Sequence, residues 1–362
     1  MPNIREAFLK SYKERQFLNP FLSKWFKTTP RDIVSAGKVK IDIMRSSSKV
    51  ATVVTALSEH STKLIRTEYT EKEFTPPKVA IGFDITAEDI DTKVFGLDPY
   101  ASANVPYIAD LQSRIMDKMR EGELAIARNI EYQASQIFQT GKLTLQDDKG
   151  NNVYEIDYKP KASHIVTVST AWSDYTNSDP DKDISNLYKE ILKDGKTRAV
   201  NIIFGSNAWE NYCNNSKVKD KLNLRNANVG IVDPKYLYDD ADYLGELLIG
   251  TNRFRCYCYE GYYTNASGKD VNFLDPDKVI MIPDSESINC DFRKIYCTSS
   301  TITGVDPRLE SIIPSYMNLE NRAYTIRAWL NEPADSLSAE ISTRPLLIPV
   351  SLDSFGCIKT TV

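Results

Sequence analysis

The chain has 362 residues, and its 45 lysines and arginines against 49 aspartates and glutamates give a net charge of −4 at pH 7. This balance argues against general electrostatic binding to nucleic acid or to an anionic membrane. No apolar run approaches the roughly 20 residues of a membrane-spanning helix, and residues 1–17 lack the apolar core of a secretory signal.

The first part of the chain predicts extensions that fold poorly on their own. Residues 1–36 have a mixed helical and irregular pattern, with Pro20 and Pro30 as breaks. Alternation over residues 37–78 then predicts a long hairpin, here called the finger, whose two strands carry few apolar residues. Because the finger cannot bury a core of its own, we expect it to lie on something else. The FTPPKV stretch, residues 74–79, predicts a rigid extended link.

One long helix is predicted from Pro106 to Thr140. Proline suits a first helical position, and Gly141 suits a left-handed stop. Apolar residues recur at spacings of three, four or seven, which keeps one face apolar. They are Ile108, Leu111, Ile115, Met119, Ile126, Ile130 and Ile137. At 1.5 Å per residue, about 35 residues make a rod of roughly 50 Å, which we expect to lie as a spine across a sheet.

The remaining chain mixes strands and helices. GKLTLQDDKGNNVYEIDY predicts a β-hairpin that turns at residues 149–151. DISNLYKEILKDGK predicts a helix, and AVNIIFGSNAWENY predicts a strand that runs into a helix. Strands with turns at residues 265–268 and 275–276 follow, and the pattern alternates again from Arg322. This order predicts an α+β fold with an insertion at about 180–285.

Residues that could carry chemistry are sparse. The two histidines, His60 and His164, cannot form a paired-histidine metal motif. Cys256 and Cys258 share a face of a predicted strand but lack the second pair of a zinc site, so we interpret them as packed thiols. All six cysteines are scattered, which predicts reduced thiols made in a cytosol. Ser206 lacks the G-x-S-x-G elbow and is interpreted as a helix cap.

The remaining motifs have structural interpretations as well. DDKGN lacks the glutamate at position 12 of a calcium loop, and no glycine-rich phosphate loop or dinucleotide fingerprint is present. RCYCYEGYY could stack nucleic-acid bases, but a half-buried sheet explains it better in a near-neutral chain. The acidic stretches ITAEDIDT and LDPDK are typical of solvated turns and helix starts. We therefore predict no enzyme, with no catalytic residue, no cofactor-binding residue, no cofactor and no metal ligand.

Four stretches carry a resemblance to a known family. MREGELAIARNIEYQASQIFQTGKLTL resembles the spine helix and following hairpin of the major capsid protein E family, to which the phage lambda major capsid protein belongs. FTPPKV resembles the segment that closes the finger, and AVNIIFGSNAWENYCNNSKVKDKL resembles the strand–helix unit. TRPLLIPVSLDSFGCIKTTV resembles the C-terminal strand. The four agree in order and spacing, whereas the first 70 residues match mainly in character.

The resemblance implies the tailed-phage Hong Kong 97-type capsid fold, of class α+β. Residues 1–36 would be the N-terminal arm, and 37–78 the extended finger, or E-loop. Residues 79–180 would form the peripheral domain, with the spine helix at about 106–140 and a β-hairpin. Residues 181–285 would be the inserted axial domain. Residues 286–362 would return to the peripheral domain and supply the C-terminal strands.

The resemblance also implies a function. The chain would be the major capsid protein of a tailed double-stranded DNA phage or prophage, self-assembling into pentamers and hexamers of an icosahedral head. Its partners would be other copies through arm and finger, a portal, a scaffold, optionally a decoration protein, and packaged DNA without sequence-specific binding, but no membrane. It would be assembled in the bacterial host cytoplasm and reside in the virion. The alternatives are an encapsulin-like compartment subunit, a tail-associated ring protein, and a non-viral hydrolase with an unusual site.

One reaction occurs in some relatives with this fold, which join a finger lysine to a neighbour's asparagine. Lys38, Lys40, Lys49 and Lys63 are available in the finger. The lambda-like branch is not implied to cross-link, and no motif marks a partner asparagine. We therefore interpret these lysines as solvated surface charges.

Overall fold

The structure is a computed structural model that describes the chain in segments. The described residues are 20–29, 32–34, 39–45, 68–74, 76–86, 107–146, 150–219, 235–238, 241–265, 267–287, 290–297, 324–331, 333 and 336–362. The predicted arm is therefore described only from Pro20, and the finger only near its base. His60, Lys38, Lys49 and Lys63 lie outside the described residues.

The described chain contains three α-helices and nineteen strands, most of which follow one another in runs. The helices are α1, Tyr107–Thr140, α2, Pro180–Gly195, and α3, Ser206–Asn214, with short 3₁₀ helices at Ser23–Trp25 and Ala162–His164. The strands are β1 Ile33–Val34, β2 Val39–Arg45, β3 Glu68–Phe74, β4 Val79–Thr86, β5 Lys142–Gln146, β6 Asn152–Asp157, β7 Ile165–Thr167, β8 Asn201–Phe204, β9 Lys235–Tyr238, β10 Ala241–Ile249, β11 Asn252–Tyr259, β12 Tyr262–Thr264, β13 Asp270–Asn272, β14 Lys278–Ile282, β15 Phe292–Cys297, β16 Tyr324–Asn331, β17 Ser336–Thr343, β18 Pro345–Pro349 and β19 Gly356–Lys359.

The largest sheet among the described residues has seven strands in the order β7-β19-β14-β8-β11-β10-β9. Within it, β7 is parallel to β19 and β8 is parallel to β11, while the other neighbours are antiparallel. Two three-stranded sheets are named here by their central strands, the β15 sheet (β1-β15-β18) and the β17 sheet (β16-β17-β4). The pairs β2-β3, β5-β6 and β12-β13 are separate two-stranded sheets.

The long helix predicted at about 106–140 is observed as α1, whose 34 residues span about 51 Å. Every predicted apolar position whose side chain is described is almost fully buried. These positions are Ile115, Met119, Ile126, Ile130 and Ile137, none more than 4% exposed. Near its start α1 packs on the β17 sheet, and farther along it packs into a larger core with the β15 sheet and the seven-stranded sheet. The apolar stripe is therefore buried along its whole described length.

A glycine ends α1 as predicted. Gly141 has a φ of +66°, and its N–H donates to the carbonyl of Ile137 at 2.8 Å. A Cβ at this position would overlap the ring of Pro160, so the close approach requires glycine in addition to the left-handed backbone. The predicted hairpin follows at once, because β5 and β6 pair from Lys142 with Asp157 onward.

Replacing Gly141 with alanine should destabilise the subunit by about 2–4 kcal/mol, through left-handed strain and overlap with Pro160. Urea unfolding of the isolated subunit measures this loss. Gly150→Ala is the matched control, because Gly150 has a φ of +80° but nothing within 4 Å of its would-be Cβ. This variant should lose only the stability that left-handed backbone strain costs, about 1 kcal/mol. Equal losses in both variants would show that Pro160 does not crowd Gly141.

A strand runs into a helix at residues 201–214 as predicted, but the cap differs. Gly205 is the N-cap of α3, and Ser206 is the first helical residue. The interpretation of Ser206 as a cap was therefore wrong by one position. A Cβ at Gly205 would lie 2.5 Å from the carbonyl oxygen of Pro276 and 2.6 Å from that of Asp275. Close packing against this turn thus explains a glycine where a capping side chain is usual.

The seven-stranded sheet takes strands from both sides of the predicted boundaries at 181 and 285. Five of its strands lie between those residues, whereas β7 and β19 lie outside them. These two pair with each other, with Val166 opposite Ile358, and β19 joins the sheet through β14. A second core of apolar residues fills the space between this sheet and the helices α2 and α3. Sheet membership therefore groups β7 and β19 with the inserted residues.

Candidate functional site

The described chain begins with a short segment, residues 21–27, that is called the strap here. Its sequence is FLSKWFK, and Ser23–Trp25 form one 3₁₀ turn. Phe21, Leu22, Trp25 and Phe26 are buried in the core that also contains the second part of α1. The strap lies within residues 1–36, the predicted N-terminal arm, and it is integral to the fold.

A single buried carboxylate holds the start of the strap. Glu131 of α1 is fully buried, and its Oε1 accepts hydrogen bonds from the backbone N–H groups of Phe21 at 3.0 Å and Leu22 at 2.6 Å. Its Oε2 accepts from the N–H of Ser23 at 2.9 Å. The hydroxyl of Tyr259 on β11 donates to Oε1 at 3.1 Å. Four donors from two other elements therefore converge on one side chain.

This arrangement explains how a carboxylate is tolerated in the core. An unpaired buried charge costs several kcal/mol, whereas charge-assisted hydrogen bonds from successive N–H groups at a helix start offset that cost. The side chain of Lys294 lies near enough to Glu131 for the two charges to interact. Burial lowers the pKa of Lys294, and the negative charge of Glu131 opposes that shift. The site therefore depends on the strap, because the strap supplies three of the four donors.

Sequence reasoning missed Glu131. The prediction of α1 rested on its apolar positions and assigned no role to this glutamate. One signal was present: Glu131 lies three residues before Ala134 and seven before Phe138, both fully buried. Residues at these spacings share a helix face. A glutamate in line with buried residues indicates a specific partner.

The strap also contacts both neighbouring sheets. The indole Nε1–H of Trp25 donates to the carbonyl of Pro283, just beyond β14, at 3.3 Å. Lys27 exchanges two backbone hydrogen bonds of 2.9 Å with β15, donating to Phe292 and accepting from Lys294. The strap therefore continues as a parallel bridge beside β15.

The two ends of the finger meet at one place. Val34 on the N-terminal side pairs with Cys297 of β15, and the N–H of Cys297 donates to the carbonyl of Arg344 at 3.0 Å. On the C-terminal side, Arg344 donates to the carbonyl of Pro76 through Nε at 3.3 Å and Nη2 at 3.1 Å. Between these ends, β2 and β3 pair from Val39–Phe74 to Arg45–Glu68 as the predicted hairpin. The residues at the two ends of the finger are therefore held close together, one by Cys297 and the other by Arg344.

The cysteines of β11 are packed thiols, as the sequence indicated. Cys256 and Cys258 are both free and buried. Burial, followed by the nearby carboxylates of Glu260 and Asp242, raises the pKa of Cys258 to about 12. Burial raises the pKa of Cys256 as well. Thiols with raised pKa values are poor nucleophiles at neutral pH, so neither is suited to thiolate chemistry.

The described histidine, His164, is a buried structural residue. Its Nδ1 lies 3.0 Å from the carbonyl oxygen of Phe355, and its Nε2 lies 3.4 Å from Oδ2 of Asp194. Lys161 also pairs with Asp194, at 2.6 Å. Although partial burial opposes the change, hydrogen bonds from Lys161 and His164 lower the pKa of Asp194. This network ties β7 and α2 to the C-terminal residues.

A cleft of about 290 Å³ is lined mostly by charged side chains of the seven-stranded sheet and of the residues next to its strands. Arg253 pairs with Glu246 at 3.2 Å, and Arg255 pairs with Asp284 at 3.0 Å. Exposed pairs of this kind contribute little stability. The described residues hold no group of three or more metal-ligating side chains, and no described helix is long and apolar enough to cross a membrane.

Comparison with known proteins gives a family match. The family model of phage major capsid protein E matches residues 7–355. No match was found among curated proteins. The match covers almost all of the sequence, including the strap, α1 and both ends of the finger.

Solved structures share the fold. A protein of an Escherichia coli CFT073 prophage, described as its capsid protein, is 16% identical, with 94% of this chain and 92% of that chain covered and a TM-score of 0.61. A phage-related protein of Bordetella bronchiseptica RB50 is 12% identical, with coverages of 96% and 94% and a TM-score of 0.51. An encapsulin of Synechococcus elongatus PCC 7942 reaches only 0.46 at 11% identity, with coverages of 91% and 84%.

Proposed function

The chain belongs to the phage major capsid protein E family, and from that premise we propose how its copies build a head. Family membership makes the protein a major capsid protein of a phage or prophage, with the Hong Kong 97-type capsid fold. It is a structural subunit rather than an enzyme, it assembles with its own copies into a shell, and it resides in the virion.

The finer proposal is that copies form pentamers and hexamers of an icosahedral head around the double-stranded DNA of a tailed phage. The arm and the finger would contact neighbouring subunits, with a portal and a scaffold as further partners and a decoration protein as an optional one. Assembly would occur in the bacterial host cytoplasm. The net charge of −4 is consistent with enclosing DNA without binding it tightly.

One observation carries this proposal. Both ends of the finger are fixed at a single place, where Cys297 and Arg344 join the backbone at Val34 and Pro76. The strap, within the arm, is fixed in a similar way through Glu131, which holds the residues that follow the first part of the arm. Two extensions with rigidly held bases suit contacts with other subunits, because each has a defined starting direction.

For the domains, we propose a peripheral part built on α1, the β15 sheet and the β17 sheet. The axial part would comprise the seven-stranded sheet with α2 and α3. This differs from the division at residues 181 and 285 only by adding the flanking strands β7 and β19. The pairing of β19 with β14, and of β7 with β19, supports the addition.

Negative-stain electron microscopy with analytical ultracentrifugation tests the assembly proposal on protein expressed alone. We expect rings of five and six subunits, tubes or closed shells. Particles from phage-producing cells should contain double-stranded DNA, whereas DNA-free shells that hold a protein cargo would favour the encapsulin-like alternative. A subunit that stays monomeric both alone and when co-produced with its scaffold and portal would contradict the proposal.

A further inference from the structure

The strap lies where two parts of the molecule meet. On one side it contacts α1 through Glu131 and the β15 sheet through Lys27. On the other side it contacts the seven-stranded sheet, through Trp25 at Pro283 and through ring contacts of Phe21. The ring of Phe21 lies 5.4 Å from that of Tyr257 and 5.5 Å from that of Tyr259. The strap can therefore make all its contacts only when the two parts are correctly placed.

We propose that the strap is a latch that couples the N-terminal arm to the relative position of the seven-stranded sheet and α1. When the sheet lies against α1, Glu131 and Tyr259 are together and the strap docks. When the sheet shifts, the strap loses contacts on one side, and the base of the arm is released. The direction of the arm thus reports the arrangement of the two parts.

The buried carboxylate of Glu131 makes positions between docked and released unfavourable. The carboxylate is fully buried and accepts its bonds at 2.6–3.1 Å, distances at which a displacement of about 1 Å ends a hydrogen bond. A buried charge without its donors is costly, so intermediate positions of the strap are unfavourable. Two discrete arrangements follow, one with the strap docked and one with Glu131 exposed to water.

Linkage makes the coupling reciprocal. A change on the sheet side should loosen the strap, and a change at Glu131 should loosen the sheet where the strap touches it. The proposal goes beyond assembly of a shell and concerns the single subunit. Its test therefore uses the full-length unassembled protein, so that failure of the latch and failure of shell formation give separate results.

Hydrogen exchange measured by mass spectrometry tests the latch. In Glu131→Gln, an amide replaces one carboxylate oxygen and sets a donor against backbone donors. Exchange of the amides at residues 21–23 should accelerate by roughly 10- to 100-fold. Exchange at residues 284–287, which follow Pro283, should accelerate as well. Glu121→Gln is the matched control on the same helix, since that exposed side chain pairs with Lys118 at the surface, and it should change neither segment.

Tyr259→Phe supplies the reciprocal variant and serves also if Glu131→Gln fails to fold. It keeps the ring and removes only the hydroxyl that donates to Glu131. It should accelerate exchange of residues 21–23 by roughly 3- to 10-fold. Unchanged strap exchange in this variant would overturn the proposal. A Glu131→Gln protein whose strap loosens while residues 284–287 exchange as in the wild type would also overturn it, because the strap would then be anchored without being coupled.

Discussion

A subunit carrying Ile126→Asp should fail to reach the native fold. Ile126 is fully buried on α1 and packs in the larger core. Replacing it removes apolar burial worth about 2 kcal/mol and puts an unpaired carboxylate in its place at a cost of several kcal/mol. Since a domain of this kind is stable by only about 5–15 kcal/mol, most of the margin is lost. Circular dichroism melts should show no cooperative transition, and the protein should collect in the insoluble fraction.

Two further variants separate the contributions to this loss. Ile126→Ala deletes the side chain without adding charge and should cost about 2–4 kcal/mol, leaving a folded protein with a lower Tm. Arg120→Asp puts the same carboxylate at an exposed position of α1 and should cost under about 1 kcal/mol. A soluble Ile126→Asp protein that melts cooperatively near the wild-type temperature would show that the apolar stripe is not buried.

Ile130→Asp should be at least as damaging, for a reason that the adjacent residue makes clear. Glu131 is a carboxylate buried on the same helix, and it is tolerated because four donors converge on it. Ile130 is 4% exposed and packs among apolar side chains, with no comparable donors in the described contacts. A second carboxylate there would lack hydrogen bonds and would also repel Glu131. The comparison shows that partners, rather than burial alone, decide whether a charge fits this core.

Local patterns predicted the local elements of the fold. The spacing of Ile115, Met119, Ile126 and Ile130 gave the long helix, and Gly141 gave its end, because both depend on residues within a few positions. The hairpins β2-β3 and β5-β6 followed from alternation for the same reason. The strand order of the seven-stranded sheet was beyond such reasoning. The pairing of β7 with β19 joins residues almost 200 positions apart, and no local pattern encodes that partner.

The site was harder to predict than the fold. Glu131 serves the strap, whose donors are backbone N–H groups that any sequence would supply. No motif in FLSKWFK identifies a carboxylate partner 108 to 110 residues away. The error at Ser206 has a similar cause: the cap became glycine because of a turn at Asp275 and Pro276, which is distant in sequence. At Glu131 and at the cap before Ser206, the residue type is determined by contacts with backbone that is distant in the sequence.

Removing the outer part of the finger should leave a folded subunit that cannot close a shell. The pairing of β2 with β3 defines the junction for this deletion. Arg45 and Glu68 are directly opposite in the antiparallel pair, so an Asn-Gly turn can replace residues 46–67 between them. Urea unfolding should agree with the wild type within about 0.5 kcal/mol, since both ends of the finger keep their anchors.

The expected defect lies in assembly, and a second variant shows what the finger contributes. Electron microscopy of the shortened protein should show free subunits or open rings but no closed shells, because contacts between neighbouring copies are missing. A variant with residues 46–67 replaced by a Gly/Ser linker of equal length keeps the reach of the finger and removes its side chains. If that variant closes shells, the length of the finger alone is sufficient for shell closure. If it fails as the shortened protein does, specific side-chain contacts of the finger are required. Closed shells of normal size from the shortened protein would contradict the assigned role, and the arm held by Glu131 would then be the extension that joins the subunits.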